Sequence, residues 1–344
     1  MTLSRRARRD WRIFLWVSLT AAAISAWFGY RVAPDGQPEL RSALSGVLTS
    51  LVIATPIFLF LLKGERAGRL RRLRRLPLAL YFAVKVLFYF VVIVGGLMVS
   101  RYFFWLDNPP EFFAFDGVFR RSIVFSVAMA VVGALAAEMS GLLGFGTLKN
   151  LLTGRYVQPK RELRAFLLID MKDSTGVAER LGPVRFHELL NDFFHDVADA
   201  ALECEAEIHK YVGDEAILTW PEAAATDGDC LRFPFLAQEV VERRRKTYLS
   251  RFGVVPTFRA AIHSGEIVAG EIGDVRREIA YVGDTLNVAA RLLEAAKELG
   301  RDVLVSDDLL AQAALPAGLK IEQLPTLTVR GRAQPLAISA LARS

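Results

Sequence analysis

Residues 166–182 read FLLIDMKDSTGVAERLG, and this segment connects a predicted strand to a predicted helix. The continuous apolar run of Ala165–Ile169 indicates a strand that is buried on both faces. Asp170 follows directly, so a carboxylate lies at the C-terminal end of that strand. Ser174 or Thr175 is predicted to cap the next helix, whose free N–H groups would lie beside Asp170. The segment therefore predicts a phosphate site with a metal ligand next to it.

A predicted hairpin supplies a second carboxylate. Its strands are residues 208–211 and 216–220, and Asp214 lies at its tip after Gly213. If the hairpin pairs with the first strand, Asp170 and Asp214 converge. Mg²⁺ prefers a few carboxylates together with substrate phosphate oxygens. A single aspartate at a hairpin tip is usually part of the turn, so the metal prediction depends on the pair.

Three further strands and a helix follow. Strands are predicted at 258–263 and 266–272, with a turn at Ser264-Gly265, and a fourth short strand at 279–282. Gly283-Asp284-Thr285 then opens a helix in which Asn287 and Arg291 are four residues apart and share a face. An amide and a guanidinium on one face could orient a ribose and stabilise charge on a phosphoryl group. Such a pair is also common on ordinary solvated helix faces.

These segments together resemble the catalytic domain of class III adenylate and guanylate cyclases. The resemblance covers about residues 164–342, roughly half of the chain. The matching stretches are FLLIDMKDSTGVAERLG (166–182), KYVGDEAIL (210–218), AAIHSGEIVAGEIG (260–273) and YVGDTLNVAARL (281–292). The resemblance implies a ferredoxin-like α+β domain that forms a head-to-tail homodimer, with each active site built from both protomers.

The resemblance also implies the catalytic groups. Asp170 and Asp214 match the two metal-binding aspartates, and the backbone of Met171 would add an oxygen; the metals would be two Mg²⁺ or Mn²⁺ ions per site. Asn287 matches the residue that orients the ribose, and Arg291 matches the arginine that stabilises the transition state. The implied products are a 3′,5′-cyclic nucleotide and pyrophosphate.

The residues that would bind the substrate favour ATP over GTP. Lys210 matches the lysine that recognises adenine, where guanylate cyclases typically have an acidic residue. Arg330 matches a basic residue on the triphosphate, and Thr175 lies at the predicted phosphate-binding turn. Ala280 departs from the family, which has Asp, Thr or Ser there as the second residue that reads the base. Because an alanine side chain cannot form a hydrogen bond, GTP remains an alternative substrate.

The first half of the chain is predicted to lie in a lipid bilayer. Hydrophobic residues make up 53% of the chain, and four apolar stretches approach the roughly 20 residues that a membrane-spanning helix needs. They are residues 13–30, 43–62, 78–100 and 123–145. The sequence thus predicts an all-α, four-helix transmembrane domain (1–145), a connector helix or linker (146–163) and the catalytic domain (164–344).

Charge predicts the orientation of these helices. Arginine and lysine are concentrated in the N-terminal arm and in residues 63–75, which belong in the cytoplasm by the positive-inside rule. An even number of spans then places the catalytic domain in the cytoplasm as well, below the inner (cytoplasmic) membrane. Lys85 and Glu138 lie within or near the ends of spans, and we expect them to reach toward an interface.

Other classes of function are less well supported. The basic residues that give the net charge of +6 cluster beside apolar runs, which argues against a nucleic-acid partner. Cys204 and Cys230 have neither disulfide-framework nor zinc-site spacing. A guanylate cyclase and a membrane receptor with a catalytically silent domain remain alternatives. A diguanylate cyclase is disfavoured, because Val212 and Ala216 replace two residues of that family's hairpin motif.

Overall fold

The computed structural model describes most of the chain in eight segments. They are residues 5–31, 39–60, 76–104, 117–143, 150–151, 153–275, 277–328 and 335–344. The chain divides into two compact units, Met1–Leu142 and Leu143–Ser344. Residues 146–149 and 152 of the predicted connector, which include Leu148 and Leu152, lie outside the described residues.

The N-terminal unit is built from long apolar helices. Their bounds are α1 (Arg5–Arg31), α2 (Glu39–Leu59), α3 (Leu78–Phe104) and α4 (Gly117–Leu143). The predicted helical region is therefore confirmed. In the part of the chain that the structure describes, three stretches are long and apolar enough to cross a membrane: Trp11–Arg31, Glu39–Ile57 and Leu80–Ser100.

Polar side chains connect these helices to one another. Thr49 Oγ1 of α2 and Ser100 Oγ of α3 are 2.5 Å apart. Lys85 of α3 is only 2% exposed, and its Nζ lies 2.5 Å from Oε1 of Glu138 in α4. The two residues therefore pair with each other, and the expectation that they reach toward an interface stays a prediction. A charge inside an apolar unit costs less when it is paired, which is why the two residues meet.

The C-terminal unit is an α+β domain, as predicted. Its helices are α5 (Ser174–Leu181), α6 (Pro183–Glu203), α7 (Glu222–Thr226), α8 (Asp229–Arg243), α9 (Arg245–Phe252), α10 (Asp284–Glu298) and α11 (Asp307–Leu310). Its strands are β1 (Lys160–Met171), β2 (Glu207–Val212), β3 (Glu215–Pro221), β4 (Phe258–Ile272), β5 (Glu278–Val282), β6 (Val303–Ser306), β7 (Leu319–Leu327) and β8 (Leu336–Arg343). In the described residues they form one sheet with the order β2-β3-β1-β4-β6-β8-β7, and β5 pairs with β4.

Strand β1 lies between β3 and β4 in the interior of this sheet and is buried on both faces. Leu167 and Ile169 pack into the layer that contains α6 and α8. Phe166 and Leu168 pack into the opposite layer, which contains α10. Because successive side chains of a strand point to opposite faces, only a continuous apolar run can serve both layers. This burial holds the end of β1, and hence Asp170, in place.

The structure of β4 differs from the prediction. Phe258–Ile272 is a single strand, so the turn predicted at Ser264-Gly265 is wrong. The glycine has another role, because a Cβ added to Gly265 would lie 2.6 Å from Oγ1 of Thr285 at the start of α10. That hydroxyl donates a 2.8 Å hydrogen bond to the carbonyl oxygen of Glu266. Gly265 thus permits the close approach of α10 to β4.

Strand β1 begins earlier than predicted, because it pairs with β4 along most of the length of β4. Lys160 pairs with Ala269, so β1 begins inside the segment that was predicted as connector.

Candidate active site

Asp170 and Asp214 meet at one end of β1. Strand β1 pairs antiparallel with β3 so that Asp170 lies opposite Glu215. Asp214 immediately precedes Glu215 in the connection between β2 and β3. The Asp214 carboxylate is close enough for its charge to raise the pKa of Asp170. The structure therefore brings together the two carboxylates that the sequence predicts as a pair, with Met171 next to them.

The crowding of acidic groups has an electrostatic effect. Burial raises the pKa of Asp170 to about 6, and the nearby charge of Asp214 is the next cause. Burial also raises the pKa of Glu215, and the charges of Asp170 and Asp214 raise it further. Like charges that converge in a partly buried site disfavour ionisation. A bound cation would relieve this repulsion.

The donor chemistry fits a hard divalent cation. Asp170, Asp214 and the carbonyl of Met171 offer only oxygen atoms, which Mg²⁺ and Mn²⁺ prefer. Across the described segments, no cluster of three or more His, Cys, Asp or Glu side chains is positioned to hold a metal. Mg²⁺ does not need such a cluster, because it is commonly bound through one or two carboxylates and substrate phosphates.

The helix after β1 begins differently from the prediction. Its N-cap residue is Asp173, with φ of 53°, and no side chain caps the helix. The predicted cap by Ser174 or Thr175 is therefore wrong, since the left-handed turn at Asp173 makes Ser174 already helical. Thr175 is exposed in the first turn of α5. The N–H of Lys172 donates a 2.8 Å hydrogen bond to the carbonyl oxygen of Thr257 and is not free for a ligand.

Arg259 is a candidate site residue that no sequence pattern predicted. It lies directly opposite Asp170 in the pairing of β1 with β4. Its Nε is buried and has no hydrogen-bond partner in the described residues. Its positive charge acts to lower the pKa of Asp170, against the larger effect of burial. Its place opposite Asp170 depends on the register of β1 with β4, which neither segment specifies alone.

Asn287 and Arg291 share the exposed face of α10. Buried Ala289 and Leu293 occupy the opposite face and pack against the sheet. The side chain of Arg291 is 52% exposed, and its Nη1 lies 2.7 Å from Oε2 of Glu294, one turn further along the helix. The predicted common face is therefore confirmed.

Lys210 and Ala280 lie on strands that approach each other. Lys210 belongs to β2, and Ala280 belongs to β5, where it pairs with Gly270. His209, adjacent to Lys210, has its ring 4.7 Å from that of Tyr281, adjacent to Ala280. Arg330, predicted to bind the triphosphate, lies outside the described residues.

Comparisons with known proteins agree on one family. The family model described as the adenylate and guanylate cyclase catalytic domain matches residues 157–338. Adenylate cyclase 2 of Rhizobium meliloti is 35% identical over 305 residues, covering 87% of this chain and 83% of that protein. Adenylate cyclase of Anabaena cylindrica is 25% identical over 183 residues, and the match spans 50% of this chain and 35% of that protein.

A solved structure has a similar fold. The structure of a bacterial light-regulated adenylyl cyclase matches with a TM-score of 0.51 and 13% identity. The match covers 62% of this chain and 63% of that one. At this identity the likeness concerns the fold alone.

Proposed function

The chain belongs to the adenylate and guanylate cyclase catalytic domain family, and from this premise we propose that it converts ATP to 3′,5′-cyclic AMP and pyrophosphate. The observation that carries the proposal is the convergence of Asp170 and Asp214 at the end of β1. An exposed amide and guanidinium on α10 provide the second set of groups that this reaction requires.

The metal ligands in this proposal are Asp170, Asp214 and the backbone carbonyl of Met171. When bound, two Mg²⁺ or Mn²⁺ ions would lower the pKa of the ribose 3′-hydroxyl and neutralise charge on the triphosphate. The burial of β1 holds Asp170 rigidly, while its pairing with β3 sets the position of Asp214 relative to it. Carboxylates held in a defined arrangement would position the reacting phosphate.

Cationic and N–H groups around the carboxylates would bind the triphosphate. Arg259 has a buried Nε beside Asp170 without a partner in the described residues, and this group is suited to donate a hydrogen bond to a phosphate oxygen. The first turn of α5, which carries Thr175, begins three residues after β1 ends, and we assign its N–H groups to phosphate oxygens. We assign Arg330 the same role on the strength of the family resemblance alone.

The groups on α10 would complete the site of a partner protomer. Asn287 would orient the ribose, and Arg291 would stabilise the charge that develops on the transferred phosphoryl group. Both lie on a face of α10 that no element of their own domain covers in the described structure, which suits contact with a second copy. Exposed apolar side chains on the two neighbouring hairpins support such a contact. They are Tyr211, Val212, Ile272, Val275 and Val282.

Base selection rests first on Lys210. A lysine donates hydrogen bonds, which suits the N1 acceptor of adenine. GTP is the alternative substrate, since Ala280 offers no side-chain hydrogen bond. A catalytically silent receptor is the less favoured alternative, because Asp170, Asp214 and Arg291 are all present and positioned on the sheet and on α10.

We further propose that the N-terminal helices span the cytoplasmic membrane four times and keep the N-terminus and the catalytic unit in the cytoplasm. The apolar stretches of α1 to α3 and the basic segments support this topology. Reporter fusions after Arg75 and Ser344 should report the cytoplasm, and a fusion near Asn108 should report the outside. An outside signal from the Ser344 fusion would contradict it.

The proposed function is tested by incubating the purified full chain with ATP or GTP, each with Mg²⁺ or Mn²⁺, and separating the products by chromatography. We expect 3′,5′-cyclic AMP, formed with a higher kcat/KM than cyclic GMP. Asp170→Asn and Asp214→Asn should form no product, because each removes a negatively charged metal ligand. Asp308→Asn, the same change at an exposed aspartate of α11, is the matched control. Cyclic AMP formation by either site variant at the control's rate would overturn the assignment.

A further inference from the structure

Lys210 has an acidic neighbour at a position to which the family resemblance assigns no role. Its Nζ lies 3.9 Å from Oε2 of Glu278, and the two side chains are 52% and 45% exposed. Lys210 is on β2, which pairs with β3, and Glu278 is on β5, which pairs with β4. The contact is therefore made by side chains that reach between two strands without backbone pairing.

A β-bulge in β2 sets this arrangement. Ile208 pairs with Leu218 and Lys210 pairs with Ile217, which leaves His209 as the extra residue. The ring of His209 lies against Tyr281 of β5. Burial lowers the pKa of His209, and the charge of Lys210 lowers it further, so this ring is neutral near pH 7. A bulge redirects the neighbouring side chains, and here Lys210 comes to face Glu278.

Glu278 lies on the same side of β5 as Ala280. The two residues are two positions apart on a strand, so their side chains point to one face and their Cα atoms are about 7 Å apart. Ile279 between them points to the opposite face and is buried in the core. Ala280 has no side-chain acceptor, but Glu278, two residues earlier in β5, provides a carboxylate beside Lys210.

The contact between Lys210 and Glu278 leaves both groups able to bind a base. At 3.9 Å it is an ion pair that exceeds the length of a hydrogen bond. A half-exposed pair of this kind adds little to the stability of the fold. Both side chains can therefore turn to a ligand at small cost.

We propose that Glu278 is the second residue that reads the base: its carboxylate accepts a hydrogen bond from the 6-amino group of adenine while Lys210 donates to N1. This inference rests on the proposed function and assigns the specificity of that same site. Adenine presents a donor at position 6, whereas guanine presents the acceptor O6 there. A carboxylate opposite O6 would bring two acceptors together, so Glu278 selects against GTP.

The test measures kcat/KM for ATP and for GTP on the full chain. Glu278→Ala should lower the ATP to GTP ratio about tenfold or more, since the loss falls mainly on ATP. Glu278→Gln should give an intermediate ratio, because its amide can turn a donor toward O6 of guanine. The ratio is taken within one preparation, so a change in the folded fraction cancels.

A matched control and a rescue complete the experiment. Glu322 is an exposed glutamate of β7, at the opposite edge of the sheet from β2, and it pairs with Arg301. Glu322→Ala should leave the ratio unchanged. Adding Ala280→Asp to Glu278→Ala should restore preference for ATP, since it returns an acceptor to that face of β5.

Two results would overturn the inference. One is a ratio in Glu278→Ala within twofold of the ratio in the Glu322→Ala control, including the case where both substrates lose activity together. The other is a wild-type chain that forms no cyclic nucleotide from ATP or GTP, which would contradict the proposed function itself and this inference with it.

Discussion

At the scale of single residues, the catalytic role proposed for Arg291 can be separated from a structural role. The same guanidinium pairs with Glu294 within α10. An exposed ion pair one turn apart on a helix contributes only about 0.5 kcal/mol or less to stability. A charge that stabilises a transition state lowers the activation free energy by far more than this. The two roles therefore predict different results when each partner is removed.

We expect Arg291→Ala to lower kcat about 10²-fold to 10³-fold with a smaller change in KM, because the charge acts mainly in the transition state. Glu294→Ala breaks the same ion pair and should keep kcat within about twofold of wild type, a threshold set by the small energy of such pairs. Steady-state kinetics on both variants measures the difference. Equal losses in the two variants would mean that Arg291 acts only through Glu294.

At the scale of elements, the position of α10 depends on a missing side chain in β4. Gly265 lets Thr285 approach β4 closely enough to donate its hydrogen bond to the carbonyl oxygen of Glu266. The motif that contains Gly265 therefore sets where α10 begins. Asn287 and Arg291 follow within the first two turns of that helix.

Gly265→Ala should destabilise the fold by about 1–3 kcal/mol, because the new Cβ overlaps Oγ1 of Thr285. It should also reduce kcat, since α10 must shift. Thr285→Ala alone should cost about 1 kcal/mol for the lost hydrogen bond. In the double variant the overlap is gone, so thermal unfolding should show less destabilisation than the sum of the single effects. Strict additivity would contradict a direct contact.

At the scale of the whole molecule, the proposed site divides between two copies of the chain. The metal carboxylates of one protomer would face Asn287 and Arg291 of the other, so a two-fold dimer holds two composite sites. In a mixed dimer of two different site variants, one site then collects both changes. The other receives only unaltered residues.

Asp170→Asn and Arg291→Ala should each be nearly inactive alone, yet together they should recover activity. With equal expression and random pairing, half of the dimers are mixed, and each mixed dimer has one of two sites intact. Roughly a quarter of wild-type activity is therefore expected. Two affinity tags would verify mixed assembly before the cyclase assay. An inactive, verified mixed dimer would show that the sites are not shared in this way.

Much of the fold and of the site could be predicted from local sequence, because the relevant signals lie within short segments. The apolar run before Asp170 indicated a strand buried on both faces, and β1 is such a strand. The spacing of Asn287 and Arg291 placed them on one helix face. Four long apolar stretches indicated the N-terminal helices.

What only the tertiary structure decided depends on contacts between distant segments. The Ser264-Gly265 pair is typical of a turn, but its glycine serves a packing contact with Thr285, twenty residues later. Arg259 became a site candidate only through its register opposite Asp170. Glu278 became a partner of Lys210 through a bulge in another strand. Register and bulges are set by the packing of the whole sheet, which no short segment specifies alone.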